Sequence, residues 1–217
     1  KNQEVNGVST GGILHIQDKL GNTKDLVVFA EKEPKNIPWG SLDVDVVVES
    51  TGFFTDYDKA HGHIEAGAKK VVISAPAKVG VDTSIHGEMI LLGINEEKFG
   101  TTDVTSNASC TTNGASPLIV ILDQSIGIDK AILSTTHAYT ASQSLVDGPS
   151  KKDLREGRGA AQNIVPSSTG AAKAVAEVYP KLKGKFDGIS LRVPVPSGSI
   201  VDVTFIASRN TTVEEIN

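Results

Sequence analysis

A single cysteine, Cys110, a single tryptophan and a single methionine occur in 217 residues, and aromatic side chains make up only 5% of the chain. One cysteine excludes an internal disulfide framework. No cysteine pair stands at zinc-ligand spacing, and His61 and His63 are only two residues apart, so no metal site is expected. No stretch approaches the roughly twenty apolar residues that a membrane helix needs, so no membrane partner is expected. A formal charge of −5 leaves no broad basic footprint, which argues against nucleic acid as a partner. No Gly-x-Gly-x-x-Gly occurs anywhere. The chain begins with Lys1 rather than methionine and has no charged n-region leading an apolar core. A cytoplasmic setting and a trimmed or partial chain are therefore expected.

The remainder is ordinary globular material, 39% hydrophobic and 22% charged, long enough for one large domain or two small ones. Residues 42–49 and 70–75 are β-branched runs that read as buried parallel strands, with a helically spaced segment at 56–68 between them. Glu49-Ser50-Thr51-Gly52 and Ser74-Ala75-Pro76-Ala77 then fall at strand carboxyl ends, where open α/β sheets bind ligands. Short strands are expected at 89–94 and 103–106, and a change of domain near 106–110. Pro117 fits the first turn of a helix whose apolar residues Leu118, Ile119, Ile121 and Leu122 share one face. Beyond it, residues 131–137 read as a strand, 140–166 as a long Gly-rich charged connection, and 171–178 as a helix with a hydroxyl-rich start. Two further runs, 189–195 and 199–207, joined by Pro196-Ser197-Gly198, read as an antiparallel pair.

Free cysteines commonly pack as small hydrophobes, but the neighbours of Cys110 are Ser109, Thr111, Thr112 and Asn113. If a helix begins at Ser109 or Cys110, its unpaired N–H groups stabilise a thiolate and any anion beside it. A nucleophilic cysteine needs a base, and histidine is the side chain suited to that near neutral pH. Of five histidines, His15, His61, His63 and His86 lie in polar surroundings that suit surface exposure. His137 ends a strand, where it is either a structural histidine or a catalytic one. Arg192 lies opposite the apolar set Leu191, Val193 and Val195, on a solvated face or aimed at an anion.

Together these segments resemble the phosphorylating glyceraldehyde-3-phosphate dehydrogenase family, through nearly the whole chain. The resemblance is carried by Ser106-Asn107-Ala108-Ser109-Cys110-Thr111-Thr112-Asn113, Thr136-His137-Ala138-Tyr139-Thr140 and Ser168-Thr169-Gly170-Ala171-Ala172-Lys173. Ile37-Pro38-Trp39-Gly40, Glu49-Ser50-Thr51-Gly52, Ser74-Ala75-Pro76-Ala77 and Arg192-Val193-Pro194 extend it. It implies an α/β fold: a partial Rossmann-like parallel sheet in a dinucleotide-binding domain at 1–108, then an α+β catalytic domain with a mostly antiparallel sheet at 109–217. It implies Cys110 as nucleophile on glyceraldehyde 3-phosphate and His137 as base. Thr140 and Arg192 would hold the substrate's phosphate, and Ser109, Thr111, Thr169 and Gly170 the attacking inorganic phosphate. Lys32, Thr51, Gly52 and Ser74 would line NAD, with NADP an alternative, and the assembly would be a homotetramer.

The departures are specific. The family's first strand and glycine-rich turn have no counterpart before Lys1, and its last strands have none after Asn217, so an interior segment with apolar surface left open is expected. Glu156 stands where relatives carry an arginine near the attacking-phosphate pocket, with Arg155 and Arg158 close in sequence to compensate. Erythrose-4-phosphate dehydrogenase shares these motifs and stays open as an alternative. A cysteine hydrolase would not explain two phosphate-suited loops. A non-catalytic binding or assembly fragment with a redox-sensitive thiol is the alternative from another class.

Overall fold

The computed structural model describes residues 3–5, 8–150 and 153–217, so Lys151 and Lys152 of the long connection lie outside the described residues. Contacts divide the chain into two compact units, residues 1–89 with 98–107 and residues 90–97 with 108–217.

The first unit opens with two short antiparallel pairs, β1 (Gln3–Val5) with β2 (Val8–Thr10) and β3 (Gly12–Gln17) with β4 (Thr23–Val28). Its main sheet is wholly parallel. The strands are β5 (Val46–Glu49), β6 (Lys70–Ile73), β7 (Gly87–Met89) and β8 (Val104–Ser106), in the order β5-β6-β8-β7. Between β5 and β6 the chain forms two single helical turns, α1 (Tyr57–Ala60) and α2 (Gly62–Glu65), rather than one continuous helix. Val47, Val71, Ile73 and Val104 pack with Tyr57, Ala60 and Ala68 as the core. The expected burial of 42–49 holds on one face only: Val47 and Glu49 are buried, while Val46 and Val48 on the alternate face are 51% and 61% exposed. The strand expected at 89–94 ends at Met89, because the buried Asn95 side chain accepts the Leu91 amide at 2.9 Å and holds 91–95 as a turn.

In the second unit, α3 (Cys110–Ser125) leads into β9 (Ile128–Ala138). Then follow β10 (Val165–Ser167), α4 (Ala171–Val178), β11 (Phe186–Val193), β12 (Ser199–Ala207) and α5 (Val213–Ile216). The sheet order is β10-β11-β9-β12, with only the central β11–β9 pair parallel, so the sheet is mostly antiparallel as expected. Residues 189–195 and 199–207 do not form a hairpin: β9 lies between them. Pro194 and Pro196 lack the amide donors that a hairpin ladder would use, and the chain crosses to the far edge of β9.

Helix α3 starts earlier than Pro117 suggests. Ser109 is extended, and its Oγ accepts the Thr112 amide at 3.1 Å, which makes it the N-cap and Pro117 the eighth helical residue. The buried face is Ala115, Ile119 and Leu122 against Ala171, Ala172 and Val175 of α4, whereas Leu118 and Ile121 are 44% and 62% exposed. Four-then-three spacing selects the first set, and Leu118 and Ile121 sit about one residue's 100° turn away.

One buried carboxylate ties this unit together. Asp123 of α3 accepts the Ile128 amide at 3.0 Å, the Tyr179 hydroxyl at 2.8 Å and the Lys181 ammonium at 2.7 Å. Burial pushes its carboxyl up, but these hydrogen bonds and the Lys181 charge outweigh that and hold it below the usual carboxylate range. A depressed carboxyl contributes stability that is full above its unfolded value of about 3.9 and is lost as pH falls through the folded value. Asp123→Asn is expected to cost about 1.5–3 kcal/mol near neutrality in denaturant unfolding. The gap from the unsubstituted protein should close in acid; a gap constant with pH would show that the carboxylate charge contributes nothing.

Candidate active site

The capped start of α3 presents Cys110 as the first helical residue, exposed, while Thr111 and Thr112 behind it are buried. Ser109 Oγ also lies 2.7 Å from Thr112 Oγ1, a second tie on the same turn. The preceding residue, Ala108, is buried at φ 56°, a left-handed conformation that costs a non-glycine residue about 1–2 kcal/mol. Strain at this place turns the chain sharply into the helix and aims the thiol outward. Composition carried no signal for it, since alanine is not the residue that a left-handed position selects.

Cys110 Sγ lies 3.5 Å from His137 Nε2. His137 is the penultimate residue of β9, and the parallel register sets it directly beside Arg192 of β11. His137 Nδ1 is 2.6 Å from the Ala138 carbonyl oxygen and 2.6 Å from Arg192 Nη1, and Nη1 also donates to that carbonyl at 3.1 Å. Cysteine, histidine and arginine thus form one chain of contacts. Arg192 Nε is buried and has no hydrogen-bond partner among the described residues.

Arg192 also lines a cavity of about 700 Å³ with Ser142, Ser144, Ser167, Ser168, Asp153 and Glu156. Glu156 Oε1 accepts the Ser167 hydroxyl at 2.6 Å. The compensation expected from Arg155 and Arg158 does not occur: Arg155 is forked onto Asp153, Arg158 pairs with Asp147 at 3.2 Å, and neither lines the cavity. The Asp153 carboxyl is held low by those Arg155 hydrogen bonds.

Thr140 follows β9 and is fixed by a residue that sequence reading missed, the buried Gln143. Its Oε1 accepts the Thr140 amide at 2.9 Å and the Thr140 hydroxyl at 3.2 Å. Its only sequence signal was an uncharged amide within a charged connection. At the start of α4, Thr169 Oγ1 accepts the Ala171 amide at 3.1 Å, and Gly170 has open space where a Cβ would sit. Among the described residues no hydrogen bond joins Thr169 or Gly170 to Cys110, His137 or Arg192.

In the first unit the ends of β5 and β6 are adjacent, since Glu49 pairs with Ile73 and the Ser74 amide donates to the Glu49 carbonyl at 3.0 Å. Thr51, Gly52 and Ser74 are therefore brought together. Glu49 Oε1 accepts the Thr51 amide at 2.6 Å and the Thr51 hydroxyl at 2.5 Å, and Oε2 bonds His63 Nε2 at 3.0 Å. The Trp39 indole donates to His63 Nδ1 at 3.0 Å, so that nitrogen is the acceptor and Nε2 carries the proton toward Glu49. Burial raises the Glu49 carboxyl, and the Thr51 and His63 hydrogen bonds outweigh it, so the group stays below its ordinary range. His63, expected at the surface, is 4% exposed because Trp39 and Glu49 satisfy both ring nitrogens; His15 and His86 are exposed as expected. The Lys32 amide donates to the neighbouring Glu31 carboxylate at 2.8 Å, and among the described residues no hydrogen bond joins Lys32 to Thr51, Gly52 or Ser74.

This strand-end lining fits a dinucleotide in kind. Gly52, at φ +78° with no atom within 4 Å of a Cβ position, lets a flat or phosphorylated group approach the backbone, and Thr51 and Ser74 supply hydroxyls. Among the described residues no group of three or more metal-ligating side chains occurs, and no helix is long and apolar enough to cross a membrane.

The first unit is a parallel α/β sheet with Thr51, Gly52 and Ser74 at its strand ends, and the second unit holds a cysteine–histidine pair at a helix start, an arrangement suited to chemistry through a thiol. Comparison with known proteins narrows this. Residues 109–217 match the family model described as glyceraldehyde 3-phosphate dehydrogenase, C-terminal domain, and residues 4–67 the one described as glyceraldehyde 3-phosphate dehydrogenase, NAD binding domain. The chain belongs to the glyceraldehyde-3-phosphate dehydrogenase family. Glyceraldehyde-3-phosphate dehydrogenase of Mycolicibacterium smegmatis is 53% identical over 199 residues, covering 91% of this chain and 56% of that protein. The protein of the same name in Clostridium pasteurianum is 51% identical over 198 residues, covering 90% and 58%. Glyceraldehyde-3-phosphate dehydrogenase 2 of Streptomyces avermitilis is 53% identical over 208 residues, covering 94% and 60%. The chain thus spans between 56% and 60% of the length of these three relatives.

Ser109→Ala is expected to lower stability by about 1 kcal/mol through loss of the cap. Cys110 alkylation by iodoacetamide should slow at the same time. Loss of stability with an unchanged alkylation rate would separate the cap from the thiol's reactivity.

Proposed function

We propose that the protein carrying this chain is a phosphorylating glyceraldehyde-3-phosphate dehydrogenase of glycolysis, converting glyceraldehyde 3-phosphate, inorganic phosphate and NAD to 1,3-bisphosphoglycerate. The observation that carries this reading is the 3.5 Å approach of Cys110 Sγ and His137 Nε2 at the capped start of α3, with Arg192 against the far side of the ring. Residues 1–108 are read as the dinucleotide-binding part and residues 109–217 as the catalytic part.

Cys110 Sγ adds to the aldehyde carbon and forms a hemithioacetal, favoured by the amide dipoles of the α3 start. His137 Nε2 receives the thiol proton, returns it to the oxygen of the hemithioacetal, and takes it back as the hydride leaves. When bound, NAD supplies the acceptor for the hydride that leaves this carbon. The thioester that remains on Cys110 is opened by a phosphate oxygen, which releases Sγ and keeps the oxidation energy in an acyl phosphate.

Arg192 and Thr140 are read as the hold on the substrate's phosphate, supported by the buried free Nε of Arg192 and by the Gln143 clamp on Thr140. Ser109, Thr111, Thr169 and Gly170 are read as the hold on the attacking phosphate, and Thr51, Gly52, Ser74 and Lys32 as the cofactor lining. A cytoplasmic homotetramer is the proposed assembly.

Cys110→Ser should lower kcat by about four orders of magnitude or more, and His137→Asn by about two to four. Steady-state turnover of glyceraldehyde 3-phosphate by the intact protein is the measurement, and a serine variant with near-normal kcat would sink the covalent route.

A further inference from the structure

The start of the β9–β11 ladder borders a second cavity, of about 800 Å³. Phe186 pairs with Ala131 at the first step of that ladder and Arg192 with His137 at the seventh, so about 20 Å of strand separates this cavity from the Cys110 site. None of its lining residues is among those read as holding substrate, phosphate or cofactor. Five lysines are described in the second unit. Lys181 pairs with the buried Asp123, and the other four, Lys130, Lys173, Lys183 and Lys185, all line this cavity. Glu177 and Asp187 line it too, so four positive charges against two negative leave an excess of two, in a chain whose formal charge is −5.

The lysines stand on segments that the backbone holds. Lys173 shares one face of α4 with Ala176 and Glu177, three and four residues on, while Ala172 and Val175 of the same helix pack into the core. Lys183 and Lys185 flank Gly184, whose φ of +77° turns the chain. On that turn the Lys183 amide donates to the Pro180 carbonyl at 3.0 Å, the Lys185 amide to the Leu182 carbonyl at 3.0 Å, and the Lys185 carbonyl accepts the Ala131 amide at 2.8 Å. The rest of the lining is largely apolar, with Ile132 half exposed and Pro180 and Phe186 beside it.

We propose that this cavity binds a small ring-bearing phosphomonoester, with the phosphate among the lysine ammonium groups and a flat apolar ring against Ile132, Pro180 and Phe186. The volume is that of a small-molecule site. An excess of two positive charges matches a phosphomonoester, which carries close to two negative charges near neutrality. Lysine ammonium groups recognise phosphate as point charges on flexible stems, so no fixed fork is needed. A bare phosphate leaves the apolar lining uncovered, and a neutral ring leaves the ammonium groups without a counter-charge. The charge is gathered in one concavity of a chain that is negative overall, which favours a small ligand over a long polyanion. An aryl phosphate and a nucleoside monophosphate share this chemistry.

The test is calorimetric titration of the intact protein in saturating NAD, so that the cofactor's own site is filled. One arm adds 1-naphthyl phosphate and the other adenosine 5′-monophosphate. At least one should bind saturably with half-saturation at or below about 1 mM, and the tighter arm identifies the source. Inorganic phosphate and 1-naphthol should each bind about tenfold more weakly or not at all. Lys183→Gln combined with Lys185→Gln, on an exposed turn, should weaken binding about fivefold or more, whereas Lys24→Gln in the first unit should leave it unchanged. A readout that needs no variant is the salt dependence: raising chloride from about 0.05 M to about 0.5 M should weaken binding by a similar factor. No saturable binding in either arm, equal binding of inorganic phosphate, full affinity in the double variant or no response to salt would each overturn the proposal. Turnover of glyceraldehyde 3-phosphate should be the same in the double variant as in the unsubstituted protein, so the dehydrogenase reading stands or falls separately from this one.

Discussion

Parallel pairing of β9 with β11 is the interaction on which the second unit depends. It sets His137 level with Arg192 across one ladder step, and β12 on the other edge leaves β9 no freedom to slip. A one-residue shift of register would send every side chain of β9 to the opposite face and remove both His137 and the buried Leu133 from their places. Helix α3 packs Ala115, Ile119 and Leu122 into the core under this sheet, and Cys110 reaches His137 as the first residue of that helix. Packing of the helix and position of Cys110 are consequences of the same contact surface.

The two units solve the burial of polar groups in the same way. Asp123 and Glu49 are carboxylates removed from water, and each accepts three hydrogen bonds, Asp123 from three residues and Glu49 from Thr51, twice, and His63. Burying such a charge alone would be costly, so each is placed where several donors already need an acceptor. Asp123 joins the end of α3 to the start of β9 and to the turn after α4. Glu49 joins the end of β5 to α2 and, through His63, to Trp39. In both cases the carboxylate fixes a connection: residues 49–51 after β5 in the first unit, the α3–β9 turn in the second.

Around the start of α3, the exposed thiol stands on buried support. Cys110 is open to solvent, whereas Thr112 and Ser116 beneath it are fully buried and bonded within the helix, Ser116 Oγ to the Thr112 carbonyl at 2.7 Å. The left-handed Ala108 stores strain just ahead of Cys110, held in place by the helix cap that follows it. His137 is half-buried between the thiol and the guanidinium, so its two nitrogens face different partners. Rigid support behind a few accessible polar atoms is the arrangement that lets a thiol react without prior reorganisation of the chain.

Local sequence was sufficient wherever a residue's role depends on its chain neighbours. β-Branched runs marked β5, β6 and β9, hydroxyl-rich starts marked α3 and α4, and the segments around Cys110, His137 and Ser168 were enough for the family. Where roles depend on partners distant in sequence, the pattern was silent or misleading. Nothing in 189–207 says that β9 separates its two strands, because an apolar alternation does not name its neighbour. His63 looked like a surface residue because Trp39 and Glu49, 24 and 14 positions away, supply the bonds that make its burial tolerable. The same holds for Gln143, whose bond to Thr140 is short in sequence but whose burial is tertiary, and for the contact of Arg192 with His137 across 55 residues. Sequence by itself determined the family to which this chain belongs; only the tertiary structure decided which atoms face each other, because hydrogen-bond partners are chosen by register and packing rather than by composition.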